Sequence, residues 1–164
     1  KNDKMDAKQI AEYGLMYWKE LEEYKVDEEN YRVLKELNRS YQHYMELRIN
    51  QMNFIDQTIS QTFPGIKKLI PHNSGDFSKD KLLDFLEKWW HKDLVLEKTE
   101  EEFIEEYKTW AKEKRYHPNA NKAKAIYKLA EDSISTQPSH NSKIETNIRE
   151  GINLIKQINQ ILKY

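Results

Sequence analysis

Two aspartates near the start of the chain, Asp3 and Asp6, have a type and spacing that suggest metal chemistry. They are three positions apart, so a helix that contains both places their carboxylates on one face. Carboxylate oxygens are hard ligands of the kind that Mg²⁺ prefers. Acidic residues also collect in the first turn of a helix, because the helix dipole favours negative charge there. The spacing alone leaves both interpretations open, a shared magnesium site and a charged helix start, and favours the second.

A second candidate site is the basic segment 112–128, which reverses the charge of the acidic stretch before it. Its Asn-rich loop leads into the start of a helix, where backbone N–H groups favour bound phosphate. Basic side chains add an attraction to nucleic acid that does not depend on base sequence. A solvated loop that compensates the preceding glutamates is the alternative, and the sequence weighs the two about equally. The predicted nucleic-acid contacts are Lys112, Lys114, Arg115, Lys122 and Lys124.

Other signals for metal binding or membrane insertion are absent from the sequence. The chain has no Cys, which excludes disulfides and thiolate metal sites and is compatible with the cytoplasm. His72, His91, His117 and His140 show no metal-like i, i+3 or i+4 pairing, so no zinc site is predicted. No apolar run approaches the roughly 18 residues that a membrane span requires. We therefore expect a cytoplasmic protein with no membrane partner.

The chain is organised around a long helix predicted over Tyr31–Phe63. The segment lacks Gly and Pro, and its apolar residues recur at spacings of three and four, which is typical of one helical stripe. At about 1.5 Å per residue the helix would be about 50 Å long. Pro64 and Gly65 are predicted to end it, and its basic residues, Arg48 among them, are expected on the solvated face. A helix of this length needs a partner helix, from this chain or from a second copy.

Shorter helices are predicted on both sides of the long one. The first is expected to reach about Tyr24 and to bury a face made of Ala7, Ile10, Ala11, Leu15, Trp18 and Leu21. After the Pro-Gly turn, another helix is predicted to start at Ser78 or Asp80 and to reach Trp90. Adjacent side chains cannot point the same way on a helix. One of Trp89 and Trp90 is therefore expected inside and the other at an edge or interface.

Two further helices are predicted to open with capping boxes, in which side chains satisfy free backbone N–H groups. Thr99 and Glu102 form one, and Ser142 and Glu145 open the last helix. The last helix has a heptad seam made of Ile144, Ile148, Gly151, Ile155, Ile158 and Leu162. Its expected partner is the long helix, packed antiparallel. The predicted fold class is all-α, with long antiparallel coiled-coil helices and a small helical cap between them.

The opening stretch KNDKMDAKQIA resembles the last acidic motif of the DEDD-type insertion-sequence transposases. In that family a RuvC-like N-terminal domain is joined by a coiled coil to a C-terminal serine transposase domain. The long helix with its Phe-Pro turn, the KLLDFLEKW segment, the basic turn and the heptad helix follow in the family's order. The resemblance implies that residues 1–25 are the C-terminal edge of a truncated RuvC-like catalytic domain. Residues 26–164 would be a helical coiled-coil linker and oligomerisation region.

The resemblance also implies a function in DNA transposition and recombination. The family cuts and rejoins DNA, holds magnesium with four carboxylates and uses a guide RNA to choose its sites. Asp3 and Asp6 match two of the four carboxylates, so the resemblance gives them a catalytic and magnesium-binding role in the full-length protein. The other two would lie upstream of this chain, and the serine domain would lie downstream of it.

We therefore expect part of a magnesium-dependent DNA transposase that is inactive and holds no cofactor by itself. This part would position and oligomerise the catalytic domains and contact nucleic acid. Its expected partners are DNA, a guide RNA and further copies of the chain. The alternative is a non-catalytic coiled-coil protein-interaction module, in which the N-terminal acids only cap a helix.

Overall fold

The computed structural model describes residues 3–22, 29–73 and 77–163, which form eight helices and no strand. The predicted all-α class is confirmed. The chain divides into two compact units, Lys1–Asn38 and Arg39–Tyr164. The helices are α1 (Asp3–Tyr17), α2 (Glu29–Thr62), α3 (Ile66–Leu69), α4 (Lys81–Leu86), α5 (Lys92–Leu96), α6 (Glu100–Glu113), α7 (Ala120–Asp132) and α8 (Ser142–Leu162).

The first unit contains α1 and the beginning of α2. The predicted buried face of α1 is wrong: α1 has no buried residue, and Leu15 and Trp18 are 81% and 69% accessible. An amphipathic helix buries its apolar face only against another apolar surface, and the apolar residues of α1 are not covered by the described residues of this unit. α1 also ends at Tyr17, followed by a turn, whereas the predicted end near Tyr24 lies outside the described residues. The predicted domain boundary at residues 25 and 26 lies outside them as well.

The predicted long helix is confirmed as α2, which ends at Thr62. Gly65 then turns the chain with a left-handed φ of 85°. A Cβ atom at Gly65 would lie 3.1 Å from Cδ1 of Leu129. The position therefore favours glycine for its backbone conformation and for the space around it. Within the second unit, the apolar stripe of α2 is fully buried towards its C-terminal end, at Ile55 and Ile59.

Helix α8 packs against α2 in antiparallel order. Gly151 of α8 lies against α2, where an added Cβ would be 2.6 Å from Nε2 of Gln51 and 3.3 Å from Ile55. Further along α8, Asn159 Oδ1 accepts a hydrogen bond of 2.7 Å from Nε of Arg48. Residues nearer the end of α8 therefore contact residues nearer the start of α2. The two helices are antiparallel, as the sequence predicts. The coiled-coil geometry of this pair stays a prediction.

Arg48 has a different environment from the predicted one. It is 8% accessible instead of lying on a solvated face. Its guanidinium carbon lies 4.8 Å from the centre of the Phe77 ring, in addition to the hydrogen bond to Asn159. A planar guanidinium can be buried where an aromatic face and a hydrogen-bond acceptor replace its water. A count of apolar spacing cannot detect such a site, because it assigns every charged residue to the surface.

Helices α3–α7 form the helical region between α2 and α8, and an aromatic cluster fills its core. Helix α4 ends at Leu86, so Trp89 and Trp90 lie in the irregular connection after it. Both are only 2% accessible, and the prediction that one would lie at an edge is wrong. The helical restriction on adjacent side chains does not apply outside a helix. Trp89 packs edge-on against Phe103 and Trp110, with ring centres 5.4 and 5.5 Å away.

Of the helix starts predicted for α4, α6 and α8, two are confirmed and one is wrong. The capping box of Thr99 and Glu102 is confirmed at α6. Asp80 caps α4, and its Oδ1 accepts hydrogen bonds from two backbone N–H groups. At α8 the predicted capping box is wrong, because the cap is Asn141 instead of Ser142. Asn and Ser are about equally good caps, so composition alone does not choose between neighbours.

Candidate nucleic-acid interface

Tyr116 lies at the centre of a basic surface, and the end of α6 fixes its position. After α6, Arg115 adopts a left-handed φ of 57°. The N–H of Tyr116 donates to the carbonyl of Ala111 at 2.6 Å, and the N–H of Arg115 donates to Lys112 at 3.0 Å. This pair of bonds is the Schellman arrangement that ends many helices. The reversal holds the backbone of Tyr116 against the last turn of α6.

Two lysines from the start of α4 lie over the Tyr116 ring. The Nζ atoms of Lys79 and Lys81 are 4.2 and 5.3 Å from the ring centre, which are cation–π distances. Lys79 Nζ also donates to the carbonyl of Arg115 at 3.0 Å. Burial, and then the positive charge of Lys122, lower the pKa of Lys81. Lys122 therefore adds its positive charge to the same part of the surface. We call Tyr116, Lys79, Lys81, Arg115 and Lys122 the Tyr116 surface.

Asp84 and Glu87 lie beside this surface and are compensated by other lysines. The Tyr116 hydroxyl donates to Asp84 at 2.7 Å. Lys156 donates to both carboxylates, and Lys114 lies 3.2 Å from Glu87. Burial alone would raise the pKa of Asp84, but the hydrogen bonds from Lys156 and Tyr116 outweigh it and lower that pKa. Lys114 and Lys156 therefore balance the two acids, and the charge available to an anion comes from the Tyr116 surface.

The five predicted nucleic-acid contacts lie in different surroundings. Arg115 and Lys122 belong to the Tyr116 surface, whereas Lys114 is paired with acids. Lys112 is exposed in the last turn of α6. Lys124 follows Lys122 by two residues on α7, which is about 200° around the helix. It lines a different cavity, together with two glutamates.

The start of α7, predicted as a phosphate contact, is capped by the protein itself. Asn119 Oδ1 accepts a hydrogen bond of 3.0 Å from the N–H of Lys122. One of the free N–H groups of the first turn is thereby satisfied. The side chain of Lys122 is the stronger reason to expect phosphate at this place.

Sequence reasoning missed Lys79 and Lys81 as members of this surface. The bond from Lys79 to Arg115 spans 36 positions, and neither lysine belongs to a basic run. The sequence does show that the two lysines flank Asp80. Because Asp80 caps α4, it fixes the backbone of Lys79 and Lys81. Local capping chemistry locates the lysines, and only the fold brings them to Tyr116.

Asp3 and Asp6 both lie in the first turn of α1 and are exposed. The helix places them on one face, as their spacing requires. Among the described residues, no group of three or more His, Cys, Asp or Glu could hold a metal ion. The carboxylate oxygens of the pair are ligands of the type that magnesium prefers. Two carboxylates are too few to form a magnesium site by themselves.

Comparison with protein families identifies the N-terminal part of the chain. Residues 1–64 match the model of the IS110-type DEDD transposases, described as a transposase family. Over this segment the chain is similar to the DEDD transposases. The matched residues include Asp3 and Asp6 and all of α1 and α2. The resemblance seen in the sequence is confirmed at this level.

The other comparisons add no relative. Neither the curated proteins nor the solved structures gave a match to this chain. In the part of the chain that the structure describes, no helix is both long and apolar enough to cross a membrane. The family match ends before the Tyr116 surface begins, so that surface rests on its geometry alone.

Proposed function

We propose that this chain is the scaffold region of a DNA transposase, which holds part of a catalytic carboxylate set on α1 and contacts nucleic acid through the Tyr116 surface. The family match over residues 1–64 carries the proposal, because it includes the aspartate pair. A transposase acts on DNA and needs surfaces that bind phosphate. The cations around Tyr116 support such a role, and DNA and a guide RNA are both candidate partners.

The charges of the Tyr116 surface suit a phosphate group. Lys81 and Lys122 repel each other, and this repulsion contributes to the lowered pKa of Lys81. An anion placed near both would convert that repulsion into attraction. The tyrosine ring positions Lys79 and Lys81 by cation–π contacts and leaves their N–H groups able to donate. The surface therefore offers several donors to one backbone phosphate or to two neighbouring ones.

The double variant Lys81→Gln with Lys122→Gln tests this contact. Each lysine–phosphate contact contributes about 0.9 to the salt slope of duplex binding, so the slope should fall by about 1.8 if both contacts are made. The matched control is Lys128→Gln with Lys143→Gln, which removes the same charge from exposed positions on α7 and α8. Equal salt slopes for the unaltered protein and the first variant would reject the Tyr116 surface as a nucleic-acid contact.

For α1, we propose that Asp3 and Asp6 form half of a four-carboxylate magnesium site in the full-length transposase. Bound magnesium would polarise a phosphoryl oxygen, and the two aspartates would help to hold it. Asp3→Asn or Asp6→Asn should abolish strand cleavage in the full-length protein without changing its helicity. Glu12→Gln, on the same helix, is the control. Normal transposition in both aspartate variants would favour the alternative, an interaction module with acidic helix caps.

We also propose that the chain associates with a second copy through α2 and α8. Leu47, Phe54, Leu154 and Ile161 are between 41% and 47% accessible and line a groove of about 510 Å³ between these helices. A second antiparallel pair presents the same apolar stripe, so a two-fold arrangement would bury both in a four-helix bundle. Light scattering should give a dimer or larger mass, and Leu47→Glu with Leu154→Glu should give a helical monomer. A monomer mass for the unaltered chain would contradict this proposal.

A further inference from the structure

A cavity of about 330 Å³ lies beside the Tyr116 surface. It is lined by residues at the start of α4 and in the last turns of α8, and they include Phe77, Lys79, Asp84, Asn159 and Gln160. Lys79 lines the cavity and also lies over the Tyr116 ring. Asp84 lines the cavity and accepts the hydrogen bond of the Tyr116 hydroxyl. The cavity and the Tyr116 surface are therefore continuous.

The charges that line this cavity leave it positive. Its lining contains three lysines, Lys79, Lys156 and Lys163, and two aspartates. Both carboxylates are engaged within the protein. Asp80 accepts bonds from backbone N–H groups of α4, and Asp84 accepts bonds from Lys156 and Tyr116. Asp84 is thus paired with Lys156, which leaves Lys79 and Lys163 against Asp80, whose other oxygen lies 2.9 Å from His72 Nδ1. An anionic group in the cavity therefore meets a net positive charge.

One wall of the cavity is aromatic and is held in place from behind. The guanidinium of Arg48 lies 4.8 Å from the centre of the Phe77 ring. Arg48 also donates to Asn159 Oδ1 at 2.7 Å, which orients the Asn159 amide. With its oxygen engaged, Asn159 can offer its amide N–H groups to a ligand. Gln160 is the next residue in the lining.

We propose that this cavity binds one unpaired nucleotide of the nucleic acid that the Tyr116 surface holds. The base stacks on Phe77, its edge meets the amides of Asn159 and Gln160, and its phosphate lies towards Lys79. Stacking on an aromatic ring, hydrogen bonds to a base edge and cations along the backbone are the usual means of binding single strands.

The size of the cavity explains why the nucleotide must be unpaired. Its volume is at the small end of the roughly 300–1,000 Å³ found for ligand pockets, which suits one nucleotide and not two nucleotides that are paired. A base within a duplex is enclosed by its neighbours and cannot reach Phe77 without leaving the stack. This inference rests on the proposed function and adds a dependence on bases, whereas the Tyr116 surface requires only the sugar–phosphate backbone.

The test compares two single strands of equal length, an oligothymidylate and the same sugar–phosphate chain without bases. Binding to the full chain is followed by fluorescence anisotropy. Stacking of one base should make the oligothymidylate bind roughly tenfold more tightly. Phe77→Leu keeps an apolar side chain over Arg48 and removes the aromatic face. It should abolish the difference between the strands while leaving the affinity for the base-free strand unchanged. Tyr41→Leu, at an exposed aromatic position on α2, is the matched control and should retain the difference.

Three outcomes separate this inference from the proposed function. Equal affinities of the unaltered protein for both strands would overturn the nucleotide site and leave the Tyr116 surface intact. A difference that persists in Phe77→Leu would also overturn it, because the bases would then be bound elsewhere. If neither strand binds, both the nucleotide site and the nucleic-acid contact are rejected.

A second measurement does not depend on a variant that might unfold. An oligonucleotide that carries iododeoxyuridine reacts with nearby aromatic rings on illumination. Crosslinks to the unaltered protein should map to the peptide that contains Phe77. Crosslinks that map only to other peptides would overturn the inference.

Discussion

Replacing His72 by Gln is expected to destabilise the second unit, and by an amount that depends on pH. His72 Nδ1 lies 2.9 Å from Asp80 Oδ2, and Nε2 lies 3.0 Å from Asp56 Oδ1. Both ring nitrogens donate only when the imidazole is protonated. The protonated ring therefore links the start of α4 to α2, and its side chain is only 15% accessible.

The direction of the pH dependence follows from the pKa of His72. Burial alone would lower this pKa, but hydrogen bonds to Asp80 and Asp56, and then their charges, outweigh burial and raise it above the ordinary 6.5. The folded protein thus binds the proton more tightly than the unfolded chain does. The stabilisation is complete below about pH 6.5 and is lost as pH rises through the higher pKa of the folded state. Lys67, which pairs with Asp56, is the other cation at this site.

The magnitude can be worked from the two hydrogen bonds. A hydrogen bond to a charged group contributes about 1.5–3 kcal/mol. In the variant Asp56 keeps Lys67, and Asp80 keeps its bonds from α4, so neither carboxylate is left without a partner. We therefore expect His72→Gln to lower the free energy of unfolding by about 2 kcal/mol near pH 5 and by less than about 1 kcal/mol near pH 8. The corresponding fall in Tm near pH 5 is roughly 5–10 °C.

Urea unfolding followed by circular dichroism at several pH values measures the effect. The control is His140→Gln, which changes an exposed histidine and should leave the free energy of unfolding unchanged at every pH. An equal loss at pH 5 and pH 8 in His72→Gln would refute the imidazolium bridge. So would a loss that increases with pH.

Three other substitutions test the backbone and the Tyr116 surface. Arg115→Gly should raise the free energy of unfolding by about 0.5–1 kcal/mol, because glycine adopts the left-handed φ at no cost, and it should weaken nucleic-acid binding; a lower Tm would contradict this. Gly65→Ala should cost about 1–3 kcal/mol through its positive φ, measured by thermal unfolding, and an unchanged Tm would show that the turn can relax. Tyr116→Phe should cost about 1 kcal/mol through the lost hydrogen bond to Asp84 while leaving nucleic-acid affinity unchanged, since the ring that orients the lysines remains.

The sequence predicts those parts of the fold that local signals determine. The spacing of apolar residues locates α2 and α8, and the pair Thr99 and Glu102 marks the start of α6, because these signals act within one or two helical turns. The prediction for Trp89 and Trp90 fails because it assumes that α4 continues past Leu86. Where a short helix ends depends on how its neighbours pack, and spacing alone does not contain that information.

The sequence predicts only some residues of the Tyr116 surface. Arg115 and Lys122 could be selected because they belong to a basic run. Lys79 could not, because its contact with Tyr116 exists only in the folded chain. The spacing of the histidines predicts only that His72 is not a zinc ligand, and it does not predict the partners of His72, which are aspartates 8 and 16 positions away. Charge networks that join distant segments are properties of the fold.

The Tyr116 surface gains its suitability for binding from the core beneath it. Lys81 Nζ lies 5.4 Å from the ring centre of Tyr107 and 5.3 Å from that of Tyr116. Tyr107 is fully buried, and burial raises its pKa to about 12, so its ring stays neutral. The Tyr116 ring packs 5.7 Å from Trp110, which belongs to the same aromatic core. A lysine held against such rings loses less side-chain freedom when it meets a phosphate than an exposed lysine such as Lys112 does. Lysines of equal charge should therefore contribute different amounts to nucleic-acid affinity. Those that contact aromatic rings, such as Lys81, should contribute more than exposed ones.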